Sequence, residues 1–213
     1  MLEKVLLLTV FILFSVGNVI SIKKSSDLGT QLTKPFLMPM LLIIYLVSTS
    51  NFKLYVILAL IFAFLGDFFL MGREAFFTLG LFAFLIGHVF YIAALLEPVS
   101  FSRLPFGIYL LLVPYGFYGV LIYRSLLPYL KSNRLNALLY LTIILIMSFS
   151  SLLRLYSTNR YQFWLPFVGS ILFICSDTIL AFNQFKTKSK RKEIYVMTTY
   201  ILAQFLIVLG FTV

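Results

Sequence analysis

The sequence predicts an all-α membrane bundle of eight transmembrane helices, a single integral membrane domain over residues 1–213. Three observations carry that prediction. Hydrophobic residues make up 62% of the chain and charged residues 11%, where soluble domains carry about a quarter charged residues. Mean hydropathy is +1.04. The apolar residues gather into eight runs close to the about 20 residues needed to cross a hydrocarbon core, with the basic residues set mostly between the runs.

The first run, 5–22, follows Glu3 and Lys4 in the manner of a signal peptide, but no small-x-small cleavage site precedes Lys23, so a retained helix is expected. The second run, 35–50, contains Pro35 and Pro39. Pro35 is expected at the first helical position, where its missing N–H breaks no hydrogen bond. The third and fourth runs, 54–72 and 76–96, are divided only by Gly72-Arg73-Glu74-Ala75, a hairpin that places them side by side. The remaining runs are 105–123, 135–153, 162–185 and 194–212.

An even number of spans puts both termini on one face. Lys4, Lys53, Arg103, Arg154 and Arg160 then fall on the terminal side. The other twelve cations fall opposite: Lys23, Lys24, Lys34, Arg73, Arg124, Lys131, Arg134, Lys186, Lys188, Lys190, Arg191 and Lys192. Positive charge concentrates on the cytoplasmic side of membrane proteins, so the termini are expected outside and the loop at 186–192 in the cytoplasm. This placement accounts for the net charge of +10 without nucleic acid, for which no recognition element is present. The single cysteine, Cys175, excludes an internal disulfide and a Cys-rich metal site.

Two carboxylates stand out. Asp67 lies within Phe62-Ala63-Phe64-Leu65-Gly66-Asp67-Phe68-Phe69-Leu70, and Asp177 within Ile171 to Leu180. Ionised groups in such segments are costly and are kept for chemistry, ion handling or a structural partner. No Lys or Arg lies within five residues of either, so a charge partner must come from another segment. Under the topology above both aspartates sit late in an outward-to-inward helix, at similar depth between midplane and cytoplasmic face. Gly66-Asp67-x-x-Leu70 and Ser176-Asp177-x-x-Leu180 are alike and four helices apart, a pattern consistent with a four-plus-four repeat.

Gly80, Phe84, Gly87, His88 and Tyr91 fall on one stripe of the fourth helix, and Gly169, Phe173, Ser176 and Asp177 on one stripe of the seventh. Small residues allow close helix approach in lipid, so each stripe is expected to face the bundle. His88 suits either a carbonyl-bonded packing role or a place beside Asp67 in a shared cavity. Tyr200 and Gln204, one turn apart, suit an interhelical hydrogen bond or a substrate contact, and Asn183 adds a further polar group. Lys34 reads as a loop cation set by topology or as a contact for an anionic head group.

Nucleophilic catalysis is disfavoured: no Gly-x-Ser-x-Gly elbow is present, and one histidine would have to serve every serine. Catalytic zinc usually takes several histidines, and only one exists. A carboxylate pair remains, the usual apparatus for acid catalysis through an oxocarbenium-like state.

These residues resemble the YhhN family of lysoplasmalogenases, small eight-helix membrane hydrolases. The pieces are Thr33-Lys34-Pro35 with Met38-Pro39, Gly66-Asp67-x-x-Leu70, and Gly80-Leu81-x-x-Phe84-x-x-Gly87-His88-x-x-Tyr91. They continue with Gly169-Ser170-x-x-Phe173-x-x-Ser176-Asp177-x-x-Leu180-Ala181-x-Asn183-x-Phe185 and Tyr200-x-x-x-Gln204. The fifth and sixth helices match only in hydrophobicity.

The resemblance implies cleavage of the vinyl ether bond of a lysophospholipid substrate, giving a fatty aldehyde and glycerophosphocholine or glycerophosphoethanolamine. It implies Asp67 and Asp177 as catalytic residues, with Lys34, His88, Tyr91, Asn183, Tyr200 and Gln204 around the substrate. One carboxyl would be protonated and deliver the proton, the other ionised and facing the cation. This chemistry needs no metal or organic cofactor. The competing class is a small transporter or lipid-binding protein whose buried carboxylates carry protons or ions.

Overall fold

The computed structural model of the protein describes residues 2–72 and 76–213, and it is built of helices. In chain order they are α1 (Leu2–Lys23), α2 (Asp27–Ser48), α3 (Leu54–Leu70), α4 (Phe77–Leu96), α5 (Leu112–Leu126), α6 (Arg134–Leu153), α7 (Arg160–Phe185) and α8 (Lys190–Leu209). Short 3-10 turns flank α5 and α6. Among the described residues seven stretches are long and apolar enough to cross a membrane, the fifth of them Phe106–Tyr129 around α5. The chain is thus a multi-pass membrane protein. The exception is α3, at 17 residues. The expected hairpin at Arg73-Glu74-Ala75 lies outside the described residues.

Hydroxyls inside these helices turn back on the backbone, as a medium without water requires. Thr9 donates to the Val5 carbonyl, Ser15 to Phe11, Thr142 to Leu138 and Ser150 to Ile146, each at 2.7 or 2.8 Å.

Two boundaries depart from the sequence-based expectation. The second helix starts at Asp27, eight residues before Pro35, which therefore sits in the helix interior together with Pro39. Ser26 caps it: in extended geometry its side chain accepts from the Gly29 N–H at 3.1 Å, and Asp27 adds a favourable negative charge in the first turn. That polar first turn hides the start from a hydropathy reading. Lys34 accordingly lies within α2 and is not a loop cation. The fifth helix is α-helical only from Leu112, after a 3-10 stretch at Phe106–Leu111. Pro114 lacks the N–H that would bond the Leu110 carbonyl, which explains the change of winding there.

The chain divides into two compact units, one reaching to Tyr91 and one running from Ile92 to Phe211. In the first, α1 and α2 are antiparallel: Ser21 lies by Gly29, Gly17 by Thr33 and Phe14 by Phe36. The buried Asn18 donates through Nδ2 to Thr33 Oγ1 at 2.9 Å. α2 then packs on α3, with the Lys53 N–H donating to the Tyr45 hydroxyl at 2.8 Å where the chain turns between them. α3 and α4 also run antiparallel: Gly80 faces Leu70, Gly66 faces Phe84, and Gly87 faces Ala59. A Cβ on Gly66 would come within 2.6 Å of the Phe84 ring. Gly80, Phe84 and Gly87 of the fourth-helix stripe read from the sequence thus form the seam of this pair.

In the second unit α7 and α8 form a long antiparallel seam. Pro166 lies against Gly210, Gly169 against Ala203 and Ile207, and Phe173 edge-on to Tyr200 at 5.5 Å. Ser176 Oγ donates to the Val196 carbonyl at 3.0 Å. α6 joins α7 through a buried hydroxyl cluster, Ser148 and Ser151 each 2.9 Å from Ser170. Tyr115 on α5 extends the cluster to Ser148 at 2.9 Å. Arg154, counted above among the terminal-side cations, is only 2% exposed and lies over the Phe211 ring, 4.8 Å from its centroid. It does not report on topology.

Candidate active site: two intramembrane carboxylates

Asp67 occupies the last turn of α3 and is 2% exposed. Its Oδ1 is 3.3 Å from Nζ of Lys34, an ion pair supplied by α2. The expectation that a partner must come from another segment therefore holds. Gly66 explains how the carboxylate is placed: lacking a side chain, it lets Phe84 of α4 press against α3 one residue before Asp67. Taking an isolated carboxylate from water costs several kcal/mol, and an ammonium at this distance offsets much of it. Lys34 also meets the need for a cation here, so none has to be bound for charge balance.

Asp177 lies within α7 in the second unit and is half-buried. A phenol bonds it. Tyr140 of α6 donates its hydroxyl proton to Asp177 Oδ2 at 2.6 Å, within the range of short bonds to carboxylates. The next residue, Thr178, shares a 2.8 Å hydrogen bond with Tyr118 of α5. Two tyrosines from neighbouring helices thus clamp the same turn of α7. The stripe expected on this helix divides: Gly169, Phe173 and Ser176 face α8, while Asp177 turns to α6.

The other candidates take these places. His88 and Tyr91 are buried on α4, past the Phe84 and Gly87 contacts with α3. Tyr200 and Gln204 are buried on α8, the former against Phe173. Asn183 is buried near the end of α7, and its Oδ1 accepts from the Ser189 N–H at 2.7 Å, closing the turn into α8. Within the first unit the structure brings Lys34 to Asp67. In the second it brings to Asp177 a residue the sequence reading did not select, Tyr140. One of 13 tyrosines, on a helix read only for hydrophobicity, Tyr140 carries no local signal of its role.

Chemically, the two carboxyls are unlike. Asp67 faces the ammonium of Lys34, and Asp177 accepts a hydrogen bond from the Tyr140 phenol.

Residues 29–211 match the YhhN family. No curated protein and no solved structure matches the chain at a significant level.

Proposed function

Because the chain belongs to the YhhN family, we propose that it is a lysoplasmalogenase, hydrolysing the vinyl ether bond of 1-alkenyl lysophospholipids. The observation that carries this reading is that each of the two intramembrane aspartates is held by a side chain from a neighbouring helix, Asp67 by Lys34 and Asp177 by Tyr140. In the proposed reaction Asp177 is the general acid. It delivers a proton to the alkenyl carbon one bond removed from the ether-bearing carbon, and the double-bond electrons form the new C–H bond. The resulting oxocarbenium ion is stabilised by an ionised carboxylate, the role proposed for Asp67. Water adds to the cationic carbon and loses a proton to the carboxylate now present at position 177, and the hemiacetal collapses to a fatty aldehyde and a glycerophospho-alcohol. Tyr140 orients the acid, and Lys34 pairs with Asp67. His88, Tyr91, Asn183, Tyr200 and Gln204 are proposed to shape the lipid path.

The test uses purified protein in detergent with a lysoplasmalogen, following aldehyde release. Asp67→Asn and Asp177→Asn should each lower turnover by at least about a hundredfold, the lower end of general-acid effects, with smaller changes in KM. Rate-limiting protonation at carbon also predicts a sizeable solvent deuterium isotope effect. If both variants fold and turn over like wild type, the carboxylate mechanism fails and a lipid-binding or transport role replaces it.

A further inference from the structure

α5 and α6 touch closely at Gly119, where an added Cβ would lie 2.9 Å from Leu145, whereas one turn earlier nothing lies within 4 Å of a Cβ on Gly116. Between them runs a groove of about 620 Å³, within the second unit. Its α5 wall follows one stripe from Leu112 through Gly116, Gly119 and Tyr123 to Leu127, and its α6 wall one stripe from Leu138 to Phe149. The residues that bond Thr178 and Asp177 of α7, Tyr118 and Tyr140, lie off both stripes. The groove is thus distinct from the Asp177 side of the unit.

Three features say what fits. Apart from one charge, the lining is apolar save for hydroxyls that bond within the protein: Thr142 to the Leu138 carbonyl, Tyr115 to Ser148 and Tyr123 to the Arg134 carbonyl. The one charged lining residue is Arg124, exposed near the end of α5, with no acidic partner among the described residues. Lys131 and Arg134 follow it at the same end, and Lys186 lies there over the Tyr129 ring, 5.5 Å from its centroid. Finally, nothing lies within 4 Å of a Cβ built on Gly116, so that glycine forms open floor. Gly116 is eight residues, about 12 Å, from Arg124 along α5. One leaflet of hydrocarbon is about 15 Å deep, half of the core.

We propose that this groove is a binding site for a resident diacyl phospholipid of the bilayer, its phosphate held by Arg124 and one acyl chain lying along α5 over Gly116. Guanidinium matches phosphate in charge and in paired hydrogen-bond geometry. The acyl chain takes the space that Gly116 leaves open, and the proposal is independent of the reaction assigned above.

The experiment uses the full-length protein in detergent with phosphatidylglycerol carrying a diazirine in one acyl chain, and maps the crosslinks by mass spectrometry. Labelling is expected to concentrate on α5 and α6 around Gly116 and Leu145. Gly116→Trp should lower it about tenfold, the equivalent of about 1.4 kcal/mol, while elution and thermal stability stay near wild type. Should that variant not fold, Val120→Trp on the same stripe serves instead. Arg124→Gln should remove the preference for the phospholipid over a diazirine diacylglycerol without phosphate. Even labelling of all apolar helices, or wild-type labelling of the Trp variant, overturns the site. Better competition by a single-chain lysophospholipid than by its diacyl counterpart overturns the resident-lipid assignment.

Discussion

Lys34 and Asp67 are both held within helices, and their charged atoms are 3.3 Å apart with side chains 13% and 3% exposed. Removing either partner leaves the other charge in an apolar setting, which in buried pairs costs about 3–5 kcal/mol. Lys34→Met should therefore lower the thermal midpoint strongly, and Lys34→Met with Asp67→Asn should recover much of the loss. A double variant no more stable than the single one would show that the pair contributes no coupling. At the second carboxyl the expected cost is smaller. Tyr140→Phe keeps the ring and removes one hydrogen bond of about 1 kcal/mol, so turnover should fall about five- to tenfold with little change in KM. A rise in KM alone would place Tyr140 on the substrate and not on the acid. Both aspartates were visible in the sequence because a carboxylate is rare among phenylalanines and leucines. Their partners were not. Which side chain meets Asp67 depends on the rotation of α2 about its axis, and Lys34 stands 33 positions away in the chain. Arg154 misled for a related reason, since a cation between apolar runs looks like a loop residue until Phe211 is seen beneath it.

At the scale of single helices, glycine marks where two backbones meet and where nothing does. A Cβ on Gly169 would lie 2.9 Å from the Ala203 carbonyl and 3.0 Å from the Ile207 nitrogen, both backbone atoms that cannot swing aside. Gly169→Ala should force α7 and α8 apart and cost about 1–3 kcal/mol. Gly116→Ala meets no atom and should stabilise by about 0.5–1 kcal/mol, because glycine gives up more backbone freedom on entering a helix. Thermal unfolding of the two variants side by side checks the contrast; equal effects would refute the packing account of Gly169. Helix existence was legible from apolar runs, since each must bury or face lipid over about 20 residues. Edges were less so. α2 begins in Asp27, Gln31 and Lys34, whose polarity ends a hydropathy window although Ser26 caps a helix there. The start of α5 depends on a single missing N–H at Pro114.

For the whole chain the decisive question is which way it lies in the membrane. With Lys34 inside α2 and Arg154 buried, both leave the charge comparison, one from each side, and the excess opposite the termini persists. The proposed orientation, termini outside, predicts that Ser189→Cys in a Cys175→Ala background resists an impermeant thiol reagent added to intact cells and reacts after permeabilisation. Reaction in intact cells would invert the orientation and with it the side from which head groups approach.

In the proposed arrangement of eight spans α3 is the short one, its 17 residues covering about 25 Å against a hydrocarbon core of about 30 Å. Hydrophobic mismatch of this kind is relieved by drawing lipid head groups inward beside the helix, at fractions of a kcal/mol per ångström. Asp67 lies three residues from the end of that helix, so the dimple forms where the carboxylate is. Membrane thickness thereby sets how far a polar head must sink to reach it: a thin bilayer presents Asp67 close to its interface, and a thick one, rich in long saturated chains, holds it deeper.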